Sequence, residues 1–136
     1  MRLASLFLVS LVAAGAACDD ISVTALTVPP PGKVADLDDE SLEMKLSRGI
    51  AIGFECYTTM SSYYGPCRDA RVKVTDESVA KAFASYLDST AESHDGGPSG
   101  PRARTAFAVV GLEPGETELE VITSDSDITV SVKVVP

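Results

Sequence analysis

The chain has 136 residues, enough for one domain, and it is acidic, with 11 Lys and Arg against 20 Asp and Glu and a formal net charge of −9. Its scattered cations supply no basic face for a phosphate backbone, which excludes nucleic acid as an expected partner. One histidine and three cysteines are too few for a zinc site, no cofactor is expected because the length leaves no room for a cofactor-binding domain beside a substrate domain, and 45% hydrophobic with 23% charged residues is the composition of a folded chain.

Met1 and Arg2 precede an apolar run, Leu3 to Ala14, interrupted only by Ser5 and Ser10. The run falls short of the roughly 20 residues that a membrane-spanning helix needs. With the small residues Gly15, Ala16 and Ala17 after it, segment 1–17 reads as a signal peptide. Cys18 follows at once. Ala16-Ala17-Cys18 resembles the bacterial lipobox, and the resemblance implies acylation of Cys18 and attachment to a membrane through an N-terminal lipid. Ordinary cleavage after Ala16 or Ala17 is the alternative, and it yields a soluble secreted protein. Cys56 and Cys67 then remain as an even pair in an exported chain, which favours a disulfide. The pair encloses Tyr57 to Pro66, too long for a C-x-x-C redox site and unlike a metal pair. A reactive or intermolecular thiol is the other reading.

Segment 18–33 is expected to hold the lipid-attachment site, a first edge strand at Ile21 to Val28 and a Pro-rich stretch. Thr27 to Lys33, with Val28-Pro29-Pro30-Pro31-Gly32, reads either as a turn after that strand or as an extended tether. The remaining 34–136 is expected to form the domain. Leu42, Met44 and Leu46 alternate with Glu43, Lys45 and Ser47, the period of a half-buried strand. Ile50 to Tyr57 is more continuously apolar and reads as a strand between two sheets. Ala70, Val72 and Val74 alternate with Arg71, Lys73 and Thr75. Glu77 to Ser89 reads as a short helix with Val79, Ala80, Phe83, Ala84 and Leu87 on one face and Asp76 as its cap, or as a strand from Val79. Alanines at 80, 82 and 84 favour the helix. Ser93 to Pro101, rich in Gly and Pro, is a loop. Thr105 to Val110, Leu119 to Thr123 and Ile128 to Val135 complete an all-β antiparallel sandwich of about seven strands, with the short helix near 77–89.

The stretch Val109-Val110-Gly111-Leu112-Glu113-Pro114-Gly115-Glu116-Thr117-Glu118-Leu119-Glu120-Val121, with the valine-rich strand after it, resembles the end of a bacterial Ig-like domain of group 2 (BIG2). Thr75-Asp76-Glu77-Ser78-Val79-Ala80 is similar to that family's mid-domain Asp-x-Ser-Val-Ala stretch. The resemblance implies an Ig-like sandwich that acts as a structural or interaction module with a protein or glycan partner. Pro114 presets φ and Gly115 accepts a positive φ, so a type II turn is expected to fold the two flanking strands back on one another.

Ser93-His94-Asp95 holds the residue types of a hydrolase triad, but three consecutive residues do not readily point at one another, and no Gly-x-Ser-x-Gly elbow is present. Gly96-Gly97 lacks the Lys-Ser/Thr of a phosphate cradle. The acidic stretches Asp36-Leu37-Asp38-Asp39-Glu40 and Asp125-Ser126-Asp127 offer oxygen ligands without the spacing of a calcium loop, and solvated loop charge is the expectation. No enzyme activity and no metal are expected. Tyr57, Tyr63 and Tyr64, between the two cysteines among Thr, Ser and Gly, have the composition of an adaptable binding loop. If the chain is soluble, that loop is where it would bind a ligand or inhibit a partner. Tyrosines packed inward beneath a hairpin are the competing reading.

Overall fold

Apolar residues recurring at every second position make most of the chain extended, because that period puts them on one face of a strand. In a computed structural model, which describes residues 21–60, 63–87, 104–124 and 126–136, the strands are β1 (Ile21–Ala25), β2 (Ala35–Asp38), β3 (Glu43–Ser47), β4 (Ala51–Met60), β5 (Tyr63–Pro66), β6 (Arg71–Val74), β7 (Ala80–Leu87), β8 (Arg104–Gly111), β9 (Gly115–Ile122) and β10 (Asp127–Val135). β10 shows the rule plainly: Ile128, Val130, Val132 and Val134 are buried, and the residues between them are exposed.

The strands form two sheets. One has the order β1-β4-β8-β7, with β5 laid along the second half of β4; the other has the order β2-β3-β10-β9-β6. Taken in chain order, β1, β4, β6, β7, β8, β9 and β10 occupy the places of strands A to G in an immunoglobulin sandwich, with A, B, E and D on one sheet and C, F and G on the other. The pairings are antiparallel except that of β3 with β10, which is parallel. Between the sheets, Phe54 on β4 and Phe107 on β8 lie opposite each other in register, with ring centroids 5.5 Å apart and planes tilted by 36°. Met44, Leu46, Leu119, Val121 and the four inward residues of β10 close over them from the other sheet.

The all-β sandwich is the fold expected from the sequence, and four features within it differ. The segment expected as a helix is β7, which pairs with β8 along its whole length from Ala80 to Leu87. Its alanines favour a helix only weakly, and a continuous ladder against a central strand outweighs that preference. β2 and β5 are also additional: four acid-rich residues and four residues inside the Tyr-rich segment carry too little alternation to be read locally. β4 lies in the middle of one sheet rather than between two; its apolar run arises because Ala51 and Gly53 occupy the outward positions between buried Ile52 and Phe54. Finally, Gly115 does not have a positive φ, and β8 and β9 belong to different sheets, so Leu112 to Pro114 is a crossing between sheets and not a hairpin turn.

The Pro-rich stretch turns back on itself. Lys33 N–H donates to the Pro30 carbonyl (3.1 Å) across Pro31 and Gly32, whose φ is 76°, the arrangement of a type II turn.

At Gly111 close approach, not conformation, demands glycine. A Cβ there would stand 3.0 Å from Val134 Cγ1, 3.2 Å from the Ser47 carbonyl oxygen and 3.3 Å from Leu46 Cβ. The backbone oxygen cannot yield without moving the Ser47 turn. Gly111→Ala is therefore expected to lower stability by about 2 kcal/mol, read as a drop in the urea midpoint at unchanged slope.

Candidate functional site

Among the described residues, the chemistry-bearing residues picked out by sequence gather in one place only at the β4–β5 hairpin. Cys56 is bonded to Cys67 with their Cα atoms 5.4 Å apart, and Cys67 N–H donates to the Cys56 carbonyl (2.9 Å), so the disulfide closes the hairpin at its open end. The expected loop from Tyr57 to Pro66 is thus mainly paired strand: Tyr57 lies opposite Pro66, Thr59 opposite Tyr64, and Met60 opposite Tyr63. Tyr57 is half-buried on the outward face, because Phe54, Cys56 and Thr58 take the inward positions, and its hydroxyl donates to Glu55 Oε1. Tyr63 and Tyr64 are placed here by their backbone pairing.

Thr58, on the inward face of the same hairpin, was not singled out by sequence. It is 2% exposed, and its hydroxyl finds no hydrogen-bond partner among the described residues. A buried hydroxyl without a partner costs about 1–3 kcal/mol. Thr58→Val keeps the shape and removes that group, so it is expected to raise the melting temperature and to stabilise the domain by about 1 kcal/mol.

The acidic stretch at 36–40 is drawn into local structure. Asp36 faces Lys45 across the β2–β3 pair. Asp38 Oδ1 accepts the N–H groups of Glu40 and Ser41, both at 3.0 Å, and caps the β2–β3 turn. Those bonds, that of Ser41 foremost, hold the Asp38 carboxyl below the usual carboxylate range. Asp76 does the same at the start of β7, accepting from the hydroxyl and the N–H of Ser78, and its carboxyl is lowered as well. Both groups have a lower pKa folded than unfolded, so their contribution is present at neutral pH and fades as the solution is acidified through the carboxylate range. Denaturation midpoints measured against pH are expected to fall less steeply on the acid side in Asp76→Asn. In the second acidic stretch, Asp127 Oδ1 accepts the N–H of Thr123. Among the described residues no group of three His, Cys, Asp or Glu is placed to hold a metal. Cys18, the Ser93-His94-Asp95 stretch and Asp125 lie outside the described residues.

The two stretches that carry the family resemblance meet at one end of the sandwich. The Val79 carbonyl accepts the N–H groups of Leu112 (2.8 Å) and Glu113 (3.3 Å), and Asp76 N–H donates to Thr117 Oγ1 (2.9 Å). A Cβ on Gly115 would stand 3.2 Å from Val79 Cγ2. This corner joins β7 to the crossing between the sheets, and its glycine and valine serve packing. The fold is similar to that of S-layer protein domains. Domains 4 and 5 of the S-layer protein SbsC superpose with a TM-score of 0.52 at 14% identity, over 84% of this chain and 54% of that one. SbsC domains 5–6 superpose with a TM-score of 0.51, also at 14% identity, over 76% of this chain and 45% of that one. The chain thus spans about half the length of the solved structures at the head of this comparison. No protein-family model matches the chain, and no curated protein sequence does.

The outer faces of the two sheets differ in kind. Across β2, β3, β10 and β9 one row reads Asp36, Lys45, Lys133, Glu116, and Lys133 Nζ lies 2.7 Å from Glu116 Oε1. Such a charged face is at home in water. On the other sheet the outward positions of β4 and β8 include Ala51, Gly53, Glu55, Tyr57, Ala106, Ala108 and Val110, with Glu55 opposite Ala106 as a carboxylate among small residues, and Phe83 on β7, opposite Ala108, is 54% exposed. Sequence reading assigned Phe83 to a helix face, and nothing in its neighbours along the chain marks it as exposed on a strand.

Proposed function

We propose that this chain is a non-catalytic module of the bacterial cell envelope, an Ig-like domain of the BIG2 kind held at a membrane by acylated Cys18 and serving structural or protein/carbohydrate contacts. The observation that carries the reading is the immunoglobulin strand order, closed over one continuous core, together with its likeness to S-layer protein domains. The lipobox-like Ala16-Ala17-Cys18 supports export and anchoring. Acidic residues that the sequence left as candidates for chemistry serve as turn caps and cross-strand charges, which fits a domain whose work is to hold position.

The intact mass of the native protein, taken with detergent phase partitioning, tests this. Loss of residues 1–17 with a mass gain of acyl chains on residue 18, and recovery in the detergent phase, is the expected result. An aqueous-phase protein with an unmodified Cys18 overturns the anchor and favours a secreted binder that uses the disulfide-closed Tyr57–Tyr64 hairpin.

A further inference from the structure

Among the described residues the sheets end at five strands: β1, β7 and the short β5, which pairs only with β4 and ends on Pro66, on one, and β2 and β6 on the other. An edge strand exposes a row of unpaired N–H and C=O groups, and proteins blunt such edges by keeping them short or charging them. β2 is four residues with two aspartates, β6 is four residues with an arginine and a lysine, and β1 is five residues. β7 is eight residues, Ala-Lys-Ala-Phe-Ala-Ser-Tyr-Leu, with one charge and no carboxylate. None of the backbone groups from Lys81 to Leu87 bonds to a described residue other than those of β8. On this edge strand the exposed Phe83 lies in register with Ala108 and, one strand further, with Gly53, beside which Thr27 packs.

We infer that β7 is a self-association edge, and that its occupant is the β7 strand of a second copy of this chain, paired antiparallel about a two-fold axis at Phe83. The sequence around Phe83 is close to a palindrome. In that register Phe83 faces Phe83 of the second copy, Ala82 faces Ala84, and Lys81 faces Ser85, so no like charges oppose one another. In a chain of net charge −9 most surfaces would set carboxylates against carboxylates on self-contact; here neither β7 nor the outward positions Ala106, Ala108 and Val110 of β8 carry one. A two-fold contact of this kind closes on itself and stops at a dimer. One strand ladder and one ring bury less than the roughly 1,200 Å² of a standard interface, so the association is weak and concentration-dependent. It reaches useful occupancy where chains are crowded, as on a membrane surface, but the pairing does not depend on the lipid.

The test is crosslinking of the full chain carrying Phe83→Cys, under mild oxidation and resolved without reductant. Val28→Cys, at a position 90% exposed and far from β7 in sequence, is the control. The expected result is a covalent dimer for Phe83→Cys and none for Val28→Cys, whether or not residue 18 carries lipid, so failure of the anchor and failure of the dimer read separately. In the otherwise native full chain, Phe83→Glu is expected to abolish a concentration-dependent doubling of mass in sedimentation, with its melting temperature unchanged. Equal crosslinking at both positions, a monomer at every concentration, a dimer that survives Phe83→Glu, or protection from hydrogen exchange in the monomer of those β7 amides that are not donated to β8 would each overturn the inference.

Discussion

Phe54→Ala is expected to lower the free energy of unfolding by about 3–5 kcal/mol, the largest effect of any single truncation considered for this domain. Phe54 is fully buried, sits opposite Phe107 on the neighbouring strand, and faces the valines and leucines of the other sheet. Removing its ring leaves a cavity that two sheets held by their ladders cannot collapse around, so the cost includes both the lost burial and the void. A domain of this size has about 5–15 kcal/mol in all. The urea midpoint, followed by circular dichroism in the strand region, is expected to fall by about a fifth or more of its native value. A loss under about 1 kcal/mol would mean that the two sheets do not close over this ring pair.

Joint replacement of Cys56 and Cys67 by alanine is expected to cost about 3 kcal/mol. The bond links residues 11 apart, and its effect is on the unfolded chain, whose freedom it limits, more than on the folded hairpin, which keeps its backbone pairing from Tyr57 to Met60. The variant is therefore expected to retain the native strand spectrum while melting at a lower temperature. Reductant should lower the midpoint of the native chain by the same amount and leave that of the variant unmoved. A native midpoint insensitive to reductant, once the bond is shown to be broken by mass, would contradict this account.

What the sequence displays well is any strand whose two faces meet different surroundings. β3, β9 and β10 were legible because each alternates between core and water. β7 was not, because its inward residues are alanines near the end of the sheet, too small to mark a buried face and as common in helices as in strands. The short β2 and β5 escaped for a related reason: each exists through its pairing with a longer strand, β3 or β4, and has little pattern of its own. Of the candidate site, the cysteine pair was legible from parity and the leader-like opening of the sequence. The exposed position of Phe83 and the Thr58 hydroxyl, without a partner among the described residues, were not, since neither follows from neighbours in the chain.

By itself the sequence determined that the chain is acidic, that it opens with a leader-like segment followed by a cysteine, and that its alternating segments make strands. Those are local properties, set by composition and by a two-residue period. Which strands share a sheet was decided only in three dimensions. Gly111, Leu112, Glu113, Pro114 and Gly115 read locally as a turn between paired strands, yet the chain there crosses from one sheet to the other. Only that route lets the inward faces of β8 and β9 bury against each other from opposite sides of one core. The same packing put β7 at the end of its sheet among the described strands.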